Sequence, residues 1–112
     1  MDKDIVILKE AVCAEVERLA PDLLRASHTI HAHPELNFEE HRAHDLLTDL
    51  LEHARLSPVR HAYDIDTGFE ARAGTGGYEV AVLCEYDALP GIGHGCGHNI
   101  IATVFIEAGS MY

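Results

Sequence analysis

Val80-Ala81-Val82-Leu83-Cys84-Glu85-Tyr86-Asp87 is the stretch from which the fold can be read. Its first residues, Val80 to Cys84, are apolar on both faces, which predicts a central strand covered on both sides. Glu85 and Asp87 then place carboxylates at the C-terminal end of that buried strand. Shortly after it, Gly91-Ile92-Gly93-His94-Gly95-Cys96-Gly97-His98 alternates glycine with other residues. Neither helix nor strand favours that density of glycine, so a loop is predicted whose backbone takes special dihedrals or approaches a neighbour closely. Asn99 is placed to cap the next element, and Ile100 to Ala108, apolar nearly all round, predicts a helix with a strand as the alternative.

Upstream of the strand the texture is one of short extended pieces and turns. Val59 to Tyr63 predicts a short strand, Phe69, Ala71 and Ala73 alternate with Glu70 and Arg72 as a half-buried strand does, and Thr75-Gly76-Gly77 predicts a turn. Further back, Ala43, Leu46, Leu47, Leu50, Leu51 and Ala54 form a helical stripe, and Asn37 with Glu40 has the spacing of a capping box. A helix over Phe38 to Arg55 follows. At the start of the chain Ile5, Leu8, Val12, Val16, Leu19, Leu23 and Ile30 recur at helical spacing, which predicts a helix with one buried stripe. Pro21 should kink or restart it, and Pro34 should close it near His31. Helices and strands in this order make an α/β protein.

A chain of 112 residues has room for one domain. Its 8 Lys+Arg against 19 Asp+Glu give a formal charge of −11, a surface that repels phosphates and disfavours nucleic acid and anionic membranes as partners. With 47% hydrophobic and 24% charged residues the composition is globular, not disordered. No apolar run approaches the roughly 20 residues of a membrane span. The start, Met1-Asp2-Lys3-Asp4, lacks the basic flank of a signal peptide, and three cysteines at unrelated spacings do not make a disulfide framework. A cytoplasmic protein is expected. Cys13 and Cys84 sit in apolar runs and read as buried small hydrophobes.

Nine histidines stand out. Cys96-Gly97-His98, with Glu85 and Asp87 upstream, offers the thiolate, imidazole and carboxylate that bind zinc-like metals, and glycines that let the side chains turn toward one point. Two other readings of this loop stay open: a tight turn needed only for its geometry, and Cys96 as a nucleophile activated by His98 or His94. His31-Ala32-His33-Pro34-Glu35 imitates the His-x-His of barrel hydrolases but ends a helix, and such a barrel needs about 250 residues. Helix capping and turn shaping is the favoured reading there. His41, His44 and His53 are expected on the solvated face of their helix.

Three ordered motifs carry a family resemblance: His31-Ala32-His33-Pro34-Glu35-Leu36 with Phe38-Glu39-Glu40, then Glu85-Tyr86-Asp87-Ala88-Leu89-Pro90, then Gly93-His94-Gly95-Cys96-Gly97-His98-Asn99. Together they resemble the N-terminal part of the metal-dependent aminoacylase and carboxypeptidase-type amidohydrolases of the zinc exopeptidase superfamily, and most of all the p-aminobenzoyl-glutamate hydrolase and dipeptidase branch. The resemblance implies a three-layer α/β/α catalytic domain with a mixed sheet. Residues 1–112 would form the N-terminal portion of that domain, truncated, with the dimerisation (lid) domain through which the family often forms homodimers absent.

The resemblance further implies a divalent metal site of zinc or manganese, two ions in the full family, with Cys96 and His98 as metal ligands and Asp87 as the catalytic carboxylate that orients the site. Glu85 stands where relatives carry another acid or a histidine. In such enzymes a metal-bound water attacks an amide carbonyl with a glutamate as general base, and the substrate is a small molecule: an N-acyl amino acid, aminobenzoyl-glutamate or a dipeptide. No acid among these residues stands where the family places that glutamate, so the chain alone is expected to be incomplete. The alternative is an inactive truncated remnant that only binds metal or a protein partner.

Overall fold

The structure is a computed structural model that describes the backbone of residues 2–110 and the side chains of residues 2–104. Its first element, α1 (Lys3–Ala32), is capped by Asp2, whose carboxylate accepts from the Asp4 amide at 3.2 Å. The helix runs through Pro21 and does not restart there. Proline removes one donor, and the carbonyl left behind belongs to Glu17 on an exposed face where water can take its place. The end is as expected: His33 donates from its backbone to the Ile30 carbonyl, and Pro34 follows.

The apolar stripe of α1 is buried only at its C-terminal end, by Ala26, Ser27 and Ile30. Ile5, Leu8 and Val12 are exposed, and so is Cys13, which is therefore not the buried hydrophobe its neighbours suggested.

Helix α2 (His41–His53) is shorter than the Phe38 to Arg55 span read from its stripe. Phe38 and Arg55 both take left-handed backbone conformations, at φ 68° and 63°, and neither can belong to an α-helix. The Asn37 capping box does not form. The residue at the cap position is Glu40, which makes no side-chain cap bond, and the first-turn amides of Arg42 and Ala43 donate instead to the Glu35 carboxylate at 3.0 and 2.9 Å. Glu40 turns inward, 5% exposed, to accept from the Thr67 hydroxyl at 2.7 Å.

His44 corrects a further expectation. It is 1% exposed, stacked on His61 at 5.0 Å between ring centroids and edge-on to Phe69, inside the core and not on a solvated face. His41 and His53 are exposed as expected.

Strands β1 (Val59–Arg60) and β2 (Phe69–Glu70) pair antiparallel, with Val59 opposite Glu70 and Arg60 opposite Phe69. Arg60 fastens this hairpin to α2 through Asp49 at 2.7 Å and Glu52 at 3.0 Å. The predicted central strand Val80 to Cys84 is not a strand: residues 71–87 form no regular element. Val80, Val82 and Leu83 are exposed, because a segment apolar on both faces forms a strand only when strands flank it, and none of the described residues does so. Helix α3 (His98–Ser110) resolves the helix-or-strand alternative in favour of the helix.

The architecture is thus three helices and a small two-stranded sheet, a mixture of α and β. Its core is Ile30, Ala43, Leu47, Leu51 and Ala102, with Leu46, Leu50, Phe69, Cys84 and Tyr86 packed against it. A compact chain of this mass exposes about 6,100 Å². This one exposes 7910 Å², and many residues of the first half of α1 and of 71–87 are exposed.

Candidate functional site

The site begins with two chain segments that lie side by side. Leu36 and Ala88 form a parallel bridge, and the Ala88 amide donates to the Glu35 carbonyl at 2.7 Å. Ala88 is 2% exposed, so this contact sits in the interior and fixes the residue before it, Asp87. Beyond Pro90 the loop folds back, with Leu89 and Gly93 exchanging backbone bonds of 2.9 and 3.1 Å. Gly93 and Gly97 have φ of 59° and 82°, which other residues adopt only with strain. Gly97 turns the chain straight into α3, whose first residue is His98.

Asp87 and His98 meet. Nδ1 of His98 lies 2.8 Å from Oδ1 of Asp87 and 3.0 Å from the Asp87 carbonyl oxygen. Both partners can only accept, so Nδ1 carries the proton and donates to them. Nε2 lies 3.2 Å from a Glu85 carboxylate oxygen. Asp87 thus holds the imidazole at Nδ1, with the Glu85 carboxylate close to Nε2 and only 15% of the histidine side chain exposed.

Cys96 is exposed on the loop two residues earlier. Asn99 does not cap α3: it lies inside the helix, 5% exposed, donating to the Ser27 hydroxyl and so tying α3 to α1. His94 is 7% exposed, neither ring nitrogen having a hydrogen-bond partner among the described residues, and lies beside His31 at 6.3 Å between centroids. Burial first, then the nearby His31 and His98, push its pKa below the usual histidine value, against opposing pulls from Asp87 and from the Ile30 backbone. Cys84, half-buried, donates to the Ala102 carbonyl, and burial together with the Glu85 charge pushes its thiol up to about 12.

Among the described residues no group of three or more His, Cys, Asp and Glu side chains is arranged to hold a metal ion. Asp87, Glu85 and His98 come together, whereas Cys96 stands apart from them at the surface. These residues therefore do not by themselves build a closed metal centre. Sequence reasoning named Glu85 beside His98 without giving it a role, and missed the work of Glu35, which caps α2 with its side chain and holds Ala88 with its carbonyl. The signal for the latter was present: a Pro-Glu pair just ahead of a helical stripe that starts later than its first apolar residue.

No protein-family profile matches the chain. Curated proteins do. It is 39% identical over 115 residues to the Xaa-Arg dipeptidase of Mus musculus, an alignment covering 94% of this chain and 27% of that protein. To the Xaa-Arg dipeptidase of Homo sapiens it is 40% identical, over 90% of this chain and 26% of that protein. To a p-aminobenzoyl-glutamate hydrolase polypeptide of Escherichia coli (strain K12) it is 36% identical, over 68% of this chain and 19% of that protein. The chain thus spans about a quarter of the length of the dipeptidases it matches. Along most of its own length it is similar to amidohydrolase- and peptidase-type enzymes, the resemblance that its three motifs carry.

Proposed function

We propose that this chain is the N-terminal portion of a metal-dependent amidohydrolase catalytic domain that cleaves the amide bond of a dipeptide, an N-acyl amino acid or aminobenzoyl-glutamate. The observation that carries this reading is the Asp87–His98 pair. A carboxylate on one imidazole nitrogen fixes the tautomer and aims the other nitrogen, which is how metal-binding histidines are prepared. The names of the relatives support the substrate class: dipeptides for one pair, aminobenzoyl-glutamate for the third.

In this reading Cys96 and His98 are two of the ligands of a zinc- or manganese-type ion, with Asp87 orienting His98. The ion, when bound, supplies Lewis-acid polarisation and an activated water. The chain's own residues hold His98 in one tautomer, exclude water from Ala88 and Asn99, and set the loop that presents Cys96. In the finer fold reading, Val80 to Cys84 is the central strand of a three-layer α/β/α domain whose other strands lie outside the described residues. That assignment accounts for apolar side chains on both of its faces.

The test is a chimera in which this chain replaces the matching part of the mouse Xaa-Arg dipeptidase. A folded chimera that hydrolyses dipeptides, and stops doing so with Cys96→Ala or His98→Ala, supports the reading. A folded, metal-loaded chimera without activity overturns it and leaves the inactive remnant.

A further inference from the structure

We infer that Glu35 is a positioning residue for the Asp87–His98 pair, acting through the single peptide unit that joins Asp87 to Ala88. The inference rests on the reading of Asp87–His98 as the functional pair, and on geometry that stands apart from any catalytic role.

Two faces of one residue are engaged. The Glu35 carboxylate takes the Arg42 and Ala43 amides of α2 at 3.0 and 2.9 Å. These are two of the donors that every helix leaves unpaired in its first turn, and an ionised acceptor at that end also meets the favourable pole of the helix dipole. The Glu35 carbonyl takes the Ala88 amide at 2.7 Å, inside the protein. Fastening the side chain to a rigid helix thus fixes the direction of the carbonyl.

The next link is covalent. The Ala88 amide and the Asp87 carbonyl belong to one peptide plane, which does not twist. That same carbonyl oxygen accepts from His98 Nδ1 at 3.0 Å. Rotating the plane to lose the Glu35 contact would swing the Asp87 oxygen away from the imidazole, and the Asp87 carboxylate at 2.8 Å would shift with its backbone. Hydrogen bonds made at both ends of one amide also polarise one another. Glu35 therefore reaches His98 without touching it. The first motif and the third are joined through the second.

The test reads the tautomer of His98 by nitrogen NMR of the ring in the full 112-residue chain. Wild type should show Nδ1 protonated. Glu35→Ala should lose that signature and give the exchanging tautomers of a solvated imidazole. Glu35→Gln, whose one side-chain oxygen replaces only one of the two acceptors that Arg42 and Ala43 use, should keep more of it than Glu35→Ala does. Arg60→Ala loosens α2 from the hairpin without approaching Ala88, and should keep it. A folded Glu35→Ala chain with the His98 signature intact overturns the inference, as does equal loss in Arg60→Ala, which would mark general destabilisation. Should Glu35→Ala not fold, Glu35→Asp is read in its place, being one methylene too short to reach both amides from the same backbone position. Because the readout needs neither metal nor turnover, it separates this inference from the hydrolase reading.

Discussion

Asn99 of α3 donates through Nδ2 to the hydroxyl of Ser27 on α1 across 3.0 Å, and both side chains are buried. The bond joins the helix that carries His98 to the longest helix in the chain. It is also the reason a polar residue can sit inside α3 facing inward. Thr103, one turn on, is satisfied within the helix by the carbonyls of Asn99 and Ile100.

Asn99→Ala should accordingly destabilise the fold by about 1–3 kcal/mol, since it leaves the Ser27 hydroxyl buried without its donor. Urea denaturation followed by circular dichroism measures this. The double variant with Ser27→Ala should lose less than the sum of the two single changes, and full additivity would show that the pair is not coupled.

The three cysteines should separate by reactivity. Cys13 and Cys96 are exposed, while the Cys84 thiol is pushed up to about 12 by burial and by Glu85. Alkylation at mild alkaline pH should label Cys13 and Cys96 promptly and Cys84 only after denaturant is added. Mass spectrometry of the digested protein reads the order, and early labelling of Cys84 would contradict its environment.

Acid should weaken the chain through His94. Its pKa is lowered in the folded state from the reference 6.5, so the unfolded chain binds the proton first as pH falls. Stability is then fully present above about 6.5 and declines below it, down to the folded-state value. Thermal melts across that interval should slope downward toward acid, and His94→Gln should flatten the slope. An unchanged slope in the variant would assign the effect to another group.

Asp87→Asn should weaken zinc binding without abolishing it, by roughly 10- to 100-fold if Asp87 acts by orienting His98. Cys96→Ala and His98→Ala should weaken it further. Calorimetric titration of zinc and of manganese into the four proteins tests this, and equal affinity across them would remove these residues from any metal site.

Much of α2 is legible in the sequence because a repeated apolar residue at helical spacing reports the buried side directly. Its ends are not. Phe38 is an apolar residue just ahead of the stripe, and its left-handed backbone excludes it from the helix. Glu35 lies outside the spacing that a capping box specifies, and reaches the helix through a turn whose shape no local pattern states. His44 escapes the pattern because the buried face of α2 is wider than its stripe: Ala43, Leu47 and Leu51 share it with His44 and Thr48. At the candidate site, the motifs anticipate the neighbourhood of Asp87 and His98. They do not anticipate that a separate carboxylate lies close to each imidazole nitrogen, since that depends on how far the glycine loop folds back.

Residues 71–87 have no regular backbone pairing, and both carboxylates beside His98 lie at their end. Their amides should be among the fastest to exchange with heavy water and their bonds among the first a protease cuts. Covering Val80, Val82 and Leu83 would slow both processes and narrow the range of positions open to Glu85 and Asp87. The order of the histidine's surroundings is thus linked to burial of a hydrophobic strip several residues upstream, so that assembly of neighbouring structure and sharpening of the site become one thermodynamic event.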